Sequence, residues 1–310
     1  MQEKELDLEK IKVSKKIDLF NVSIICIDDR NIDSAIHSIE TSSKHINFGK
    51  KILITNESLL NPKKISLIKQ LNIEVHLIPK ISSINDFSFF CLNNLIDYVK
   101  TDFCLLVQWD GWVINPFNWN SSFLEFDYIG AAWPHYKSNN VGNGGFSLRS
   151  KKLLEATKEM VNIKKPLLCD LIEDDFICRE FRDDFVNHYK IKFPSAKLAD
   201  KFSIERKFWT NESFGFHGFF NFDQIFTDNS YLGYIENLHN DCYGNRLSYD
   251  LVINLLRANR FSFAKYVLER RVITSGWIKK NIRLKIFFLL KRYVYRLPIR
   301  RKPSKQTDVY

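Results

Sequence analysis

Short apolar runs alternate along the first hundred residues with segments whose apolar positions recur every three to four residues. "VSIICI" (22–27), "KILIT" (51–55), "IEVHLI" (73–78) and "FCLLV" (103–107) are continuous enough to be strands buried on both faces. Between the first two, Ile32, Ile36 and Ile39 fall on one helical stripe, with Asn31 or Asp33 placed to cap its start. "LLNPKKISLIKQL" reads as helix after Pro62, and Phe87, Phe90, Cys91, Asn94, Leu95 and Tyr98 share a face of the next helix. Strands separated by helices in this rhythm predict βαβ units and a mostly parallel sheet flanked by helices.

Beyond residue 120 the rhythm loosens. "YIGAAW" (128–133) and "GGFSLRS" (144–150) read as strands, and "KKLLEATKEMV" and "DLIEDDFICREFR" as helices. From Leu247, "LSYDLVINLLRANRFSFAKYVLERRV" reads as two helices, and a basic helix starts near Trp277. The expected division is an α/β catalytic domain over 1–245 and a helical C-terminal extension over 246–310.

Charge sharpens that division. The chain of 310 residues carries a net +10, but from Arg270 onward there are 13 Lys and Arg against the single acid Asp308. The excess therefore belongs to the tail, and the remainder is close to neutral. Over 276–303, Ile278, Ile282, Ile286, Leu289, Leu290, Tyr293 and Leu297 form a stripe crowded by Lys279, Lys280, Arg283, Lys291, Arg292 and Arg296. A basic amphipathic helix with aromatic margins suits an anionic membrane surface, each base adding about 1 kcal/mol. The same stripe would also pack on the protein body. No recognised module accompanies the charge, so nucleic acid is not an expected partner. The start, "MQEKELDLEK", lacks an apolar run, and no stretch approaches the roughly 20 apolar residues of a membrane span. Six cysteines without a C-x-x-C pair read as buried thiols of a reducing compartment. The expected location is cytoplasmic, peripheral at the inner face of the cell membrane.

The candidate chemistry sits where strands end, because open α/β sheets bind ligands outside the carboxyl ends of their strands. "FCLLV" runs directly into Gln108, Trp109 and Asp110, and Asp28, Asp29 and Arg30 follow the first strand. Neither a G-x-G-x-x-G fingerprint nor a G-x-x-x-x-G-K-[ST] loop is present. A nucleotide site here would be built from acids, which approach a diphosphate through a divalent cation. Asp110-Gly111 also has the makings of an ordinary turn. Three more clusters stand out: "VGNGGFSLRS" with Asn143, Gly144 and Gly145; the acids Glu173, Asp174 and Asp175 inside an apolar run; and His217 in "ESFGFHGFF". Consecutive helical residues point about 100° apart, so the three acids cannot all face water. The glycines also fit a tight turn, and His217 a packed core.

Taken in order, "QWDGWVINPFNW…FLEFDYIGAAW…VGNGGFSLRS…EDDFICR…FSIE…SFGFHG" resembles a family of bacterial and fungal proteins that carry a domain of unknown function and are regarded as GT-A-type glycosyltransferases. It is also similar, more distantly, to inverting enzymes of the β-1,4-galactosyltransferase type. The resemblance covers the central third of the chain and implies a GT-A-like, Rossmann-like fold. It implies a nucleotide-sugar donor, UDP-linked, and a glycan or lipid-linked glycan acceptor. Gln108 and Asp110 then occupy the place of the D-x-D that holds Mn or Mg, with glutamine at its first position, and His217 that of a further metal ligand. Asp28 and Arg30 fall where the base and ribose bind, and Asn143, Gly144 and Gly145 line a sugar. Asp174 matches the general base, with Asp175 as its substitute. Trp109, Trp112, Trp119 and Trp133 are candidates for stacking on sugars or for plain packing. A non-catalytic glycan- or nucleotide-binding adaptor, recruited to membranes by the tail, is the alternative from another class.

Overall fold

The computed structural model describes residues 16–164, 171–207, 211–226, 230–274 and 283–289. Cys169 and most of the basic tail lie outside them.

A six-stranded sheet runs in the order β3-β2-β1-β4-β7-β6, where β1 is Ile17–Ile27, β2 Ile46–Thr55, β3 Glu74–Leu77, β4 Phe103–Val107, β6 Tyr128–Ile129 and β7 Phe146–Ser150. The first four strands are mutually parallel; β7 is antiparallel to both β4 and β6. The fold is thus α/β, with a mostly parallel sheet between helices. Alternation along the strands divides the core in two. Val22, Ile24, Cys26, Leu105 and Val107 pack with Ile32, Ala35, Ile36 and Ile39 of the helix Ile32–Ser43. Ile25, Ile27, Cys104 and Leu106 pack on the opposite side with Cys91, Leu95 and Leu154. Each such buried aliphatic side chain stabilises the fold by roughly 1.5–3 kcal/mol.

Both β1 and β2 begin earlier than their apolar runs, because their first residues already pair, Ile17 with Ile46. The helix after β1 starts at Ile32, yet Asn31 does not cap it through its side chain. The Asp28 carboxylate instead accepts the Asn31 backbone N–H at 2.5 Å, while the Asn31 amide oxygen accepts from the His239 N–H. The predicted strand 128–133 shortens to Tyr128–Ile129 plus one bridge, Ala132 to Val141. The predicted helix through "EDDFICREFR" is broken: Glu173–Asp175 is helical, Phe176–Glu180 is a π-helical turn, and Arg182–Asn187 is helical again. Such π-turns recur beside functional sites.

A second sheet, unforeseen in the sequence, joins β5 (Gly111–Val113), β9 (Gly215–His217) and β8 (Ser203–Ile204), in that order. It carries the helices Arg246–Arg257 and Phe261–Thr274 through a core of Trp112, Ile204, Phe216, Phe219, Leu251, Leu255 and Val267. In the described stretch 283–289 of the tail, Leu284 and Phe288 bury themselves in this core. Ile286 and Leu289, both on the predicted stripe, are 51% and 63% exposed. The packed face is therefore offset from that stripe. Among the described residues no helix is long and apolar enough to cross a membrane.

Candidate functional site

Sheet register assembles the site. Val107 of β4 pairs with Phe146 of β7, so Gln108, Trp109 and Asp110 leave β4 beside Asn143, Gly144 and Gly145 as these enter β7. In the second sheet Gly111 pairs with His217, bringing the imidazole to Asp110. Parallel pairing of Ile204 with Phe216 sets Glu205 level with His217 in the next strand. These segments, with Asp28 to Asn31 after β1, wall a cavity of about 510 Å³. That size lies within the range of small-molecule sites.

Of the residues singled out in the sequence, Asp28, Arg30, Gln108, Asp110, Asn143, Gly144, Gly145, Asp174 and His217 all line this one cavity. Asp175 does not; its backbone N–H donates to Asp174 Oδ1 at 3.0 Å. Trp109 lines the cavity too, whereas Trp112 and Trp133 are buried in separate cores and Trp119 packs against a third.

Asp110 is fixed from several sides. Its Oδ2 accepts the Phe219 N–H at 2.9 Å, and its carbonyl accepts that of Gly218. Its Oδ1 is buried without a hydrogen-bond partner and lies 3.3 Å from His217 Nε2. The same nitrogen is 3.1 Å from Gln108 Oε1, and His217 Nδ1 is 2.9 Å from the Asn143 amide. That amide can donate to a neutral ring through Nδ2 or, reversed, accept from an imidazolium through Oδ1. Burial alone would lower the His217 pKa, but the Asp110 carboxylate outweighs it, with help from Glu205 and Asp174, and raises the ring to about 9.

These three atoms pass a geometric test as cation ligands. An octahedral shell at about 2.1 Å sets neighbouring ligand atoms about 3 Å apart, and the observed spacings are 3.1 and 3.3 Å. Both spacings involving Nε2 suit Mg²⁺ or Mn²⁺, and His217 would release its Nε2 proton to ligate one. Among the described residues no group of three or more His, Cys, Asp or Glu is arranged to hold a metal, so the set depends on Gln108.

Asp174 stands on another wall. Its Oδ2 accepts the Gly144 N–H at 3.0 Å. Burial is the largest influence on its pKa, followed by the Glu173 charge; together they raise it to about 7, against the pull of the Gly144 N–H. Glu173 turns away to Arg149, whose Nη2 lies 3.0 Å from Glu173 Oε1, both side chains being buried. Arg149 is held by Ser147 Oγ at 3.0 Å. Asp28 is raised to about 6 by burial, opposed by the backbone N–H groups of Arg30 and Asn31. Arg30 is shared between Asp29 at 3.5 Å and Asp241 at 3.4 Å.

The glycines of "VGNGG" make room for these side chains. A Cβ on Gly144 would lie 1.6 Å from Glu173 Oε1, and one on Gly145 2.0 Å from His217 Nε2. The left-handed residue of the turn is Asn143, at φ 68°, a conformation Asn tolerates better than most residues. Gly145→Ala should therefore displace the imidazole more than it disturbs the fold. The expected outcome is loss of any Mn²⁺-dependent thermal stabilisation with a midpoint shift of only a few degrees in the metal-free protein, about 1 kcal/mol.

As site residues the sequence reading did not single out Glu205, Asp241 or Asn31, which it read only as a helix cap, nor the pairing of Glu173 with Arg149.

The family described as a protein of unknown function (DUF5672) matches residues 69–217, just under half of the chain. The crystal structure of the glycosyltransferase GlyE from Streptococcus pneumoniae TIGR4 is similar at 13% identity, covering 82% of this chain and 64% of that one, with a TM-score of 0.39. Its apo form is 15% identical over 61% of this chain and 46% of that one, with a TM-score of 0.37. This chain thus spans less than two thirds of either GlyE chain. Residues 1–349 of TarS from S. aureus, in complex with UDP, are 11% identical over 90% of this chain and 93% of that one, with a TM-score of 0.30. No curated protein sequence matches. Likenesses of this size decide nothing about chemistry, which rests on the cavity.

Proposed function

We propose that the cavity binds a nucleotide-sugar and that the protein transfers the sugar to a hydroxyl of a glycan acceptor, with inversion. One observation carries this reading: a carboxylate raised to about 7, Asp174, and the Asp110–His217–Gln108 set line one cavity at the carboxyl ends of β1 and β4. A base poised near neutrality suits removal of a proton from a hydroxyl, and this favours an enzyme over an adaptor. Asp174 takes the proton of the acceptor hydroxyl as that oxygen bonds to the anomeric carbon. The bond from the anomeric carbon to the diphosphate breaks, and the nucleoside diphosphate leaves with its electron pair. Asp110, His217 and Gln108 would hold a divalent cation, which supplies positive charge to the departing diphosphate. Asp28 and Arg30 are placed to bind the nucleoside, and Asn143, Gly144 and Gly145 to border the sugar. The exposed Ile286 and Leu289, within a strongly basic stretch, support membrane docking of the tail and hence a lipid-linked acceptor on the cytoplasmic face.

Thermal unfolding against a panel of nucleotide-sugars, with and without Mn²⁺, tests the proposal. A ligand at 100 times its Kd should stabilise the protein by about 2.7 kcal/mol. We expect a rise in midpoint with a nucleotide-sugar that depends on Mn²⁺ in the wild type and is lost in Asp110→Asn. If no nucleotide-sugar moves the midpoint under either condition, the proposal fails.

A further inference from the structure

We infer that Glu205 recognises hydroxyl groups of the transferred sugar and so sets donor specificity, an inference that rests on the function proposed above. Three observations converge on it. In the second sheet Gly111 pairs with His217 and Ile204 with Phe216, so Glu205, the residue after β8, follows on beside His217. Gly111 lets the strands approach closely there, since a Cβ would lie 2.9 Å from the Phe216 carbonyl oxygen and 3.2 Å from His217 Cδ2. Glu205 lines the cavity, and its charge acts on both Asp174 and His217. It is therefore near both the base that receives the acceptor proton and the set that faces the leaving group, where the sugar ring would be held. Finally, its Oε2 is buried without a donor, and among the described residues no hydrogen bond holds the carboxylate. Buried carboxylate oxygens are ordinarily satisfied. Here none of the described residues supplies a donor to Oε2, and a hydroxyl of a ligand in the cavity would.

The chemistry of that ligand is constrained. In the proposed scheme Asp28 and Arg30 take the nucleoside and the Asp110 set the diphosphate, which leaves the sugar ring for Glu205. Adjacent hydroxyls of a sugar ring present the O–H donors that a carboxylate accepts, and such hydrogen bonds to a charged group are the stronger kind. Glu205 is a positioning and specificity residue in this scheme, and no proton passes through it.

Binding in the presence of Mn²⁺ tests the assignment, using UDP-glucose, UDP-galactose, GDP-mannose and dTDP-rhamnose, each against its own nucleoside diphosphate. The readout is the ratio of sugar-nucleotide to nucleotide affinity. In Glu205→Ala that ratio should fall by about 10- to 100-fold for the preferred donor, while the nucleotide alone binds unchanged. Glu205→Gln, which keeps one acceptor oxygen, should fall by less. Both variants should match or exceed the wild type in ligand-free thermal midpoint, because a buried oxygen without a donor, Oε2, is a liability. An unchanged ratio in both variants, or parallel loss of nucleotide and sugar-nucleotide binding, overturns the assignment. Should Glu205→Ala not fold, an unchanged ratio in Glu205→Gln overturns it alone. If the wild type binds none of the seven ligands, it is the proposed function that fails, and this inference with it.

Discussion

Asp174→Asn should lower turnover by about 10²- to 10⁴-fold, the usual contribution of a general base, and should at the same time stabilise the protein at alkaline pH. The substitution keeps shape and removes charge. Catalysis requires the carboxylate form, so the wild-type rate should rise with pH along an acid limb near 7, the value to which burial and Glu173 lift this group. The sign for stability runs the other way. A carboxyl whose pKa rises on folding binds more protons in the native state between about 4 and 7, so its ionisation progressively destabilises the fold across that window. Above pH 7 the whole penalty is present, and below pH 4 none of it is. Asn carries no such penalty. The variant's thermal midpoint should exceed that of the wild type by several degrees at pH 8, with the difference vanishing below pH 4. Binding of the nucleotide-sugar should survive, since Asp174 faces the acceptor in this scheme. Unchanged turnover in the variant would remove Asp174 from the reaction; a midpoint difference independent of pH would show that its ionisation carries no folding penalty.

How much of this could be read in the sequence differs between sheet and site. β4 coincides with its apolar run, Phe103 to Val107, because a strand buried on both faces needs no partner information to announce itself. The carboxylate after it, Asp110, follows from the general position of ligands on such sheets. The second sheet was illegible: β5, β8 and β9 are two or three residues long, too short to show alternation. With it was lost the cross-strand row that brings His217 to Asp110 and sets Glu205 beside it. The glycines were legible as a cluster but not in purpose, since what a missing Cβ accommodates lies 29 residues on for Gly144 (Glu173) and 72 on for Gly145 (His217). Three consecutive acids in an apolar run did signal that one must turn inward. That Glu173 would find Arg149 depended on β7 running antiparallel, which the loosened pattern after residue 120 did not reveal.

Arg149→Met tests what holds the wall around Asp174 in place, and the expected cost is on the order of 3–5 kcal/mol, the range for removing one partner of a buried ion pair. Arg149 is fully buried, with Nη2 at 3.0 Å from Glu173 Oε1 and 3.4 Å from the Gly144 carbonyl. Its Nη1 has no hydrogen-bond partner, although the guanidinium lies 5.6 Å from the centre of the Tyr128 ring. The charge is thus incompletely compensated even in the wild type, so the pair as a whole adds little stability. Its worth is in placement. Glu173 precedes Asp174 directly, and the Gly144 backbone grips both Arg149, through its carbonyl, and Asp174, through its N–H. Without Arg149 a bare carboxylate would face Asp174 and push its pKa higher, moving the acid limb of the rate profile upward as the midpoint falls by roughly 10 °C. Methionine retains much of the apolar stem, so the loss is mainly electrostatic. Adding Glu173→Gln removes the stranded charge, and the double variant should be more stable than Arg149→Met alone. If the two substitutions instead add without coupling, the contact contributes no interaction energy, and the position of Asp174 must be set by the π-helical turn at Phe176–Glu180 rather than by this pair.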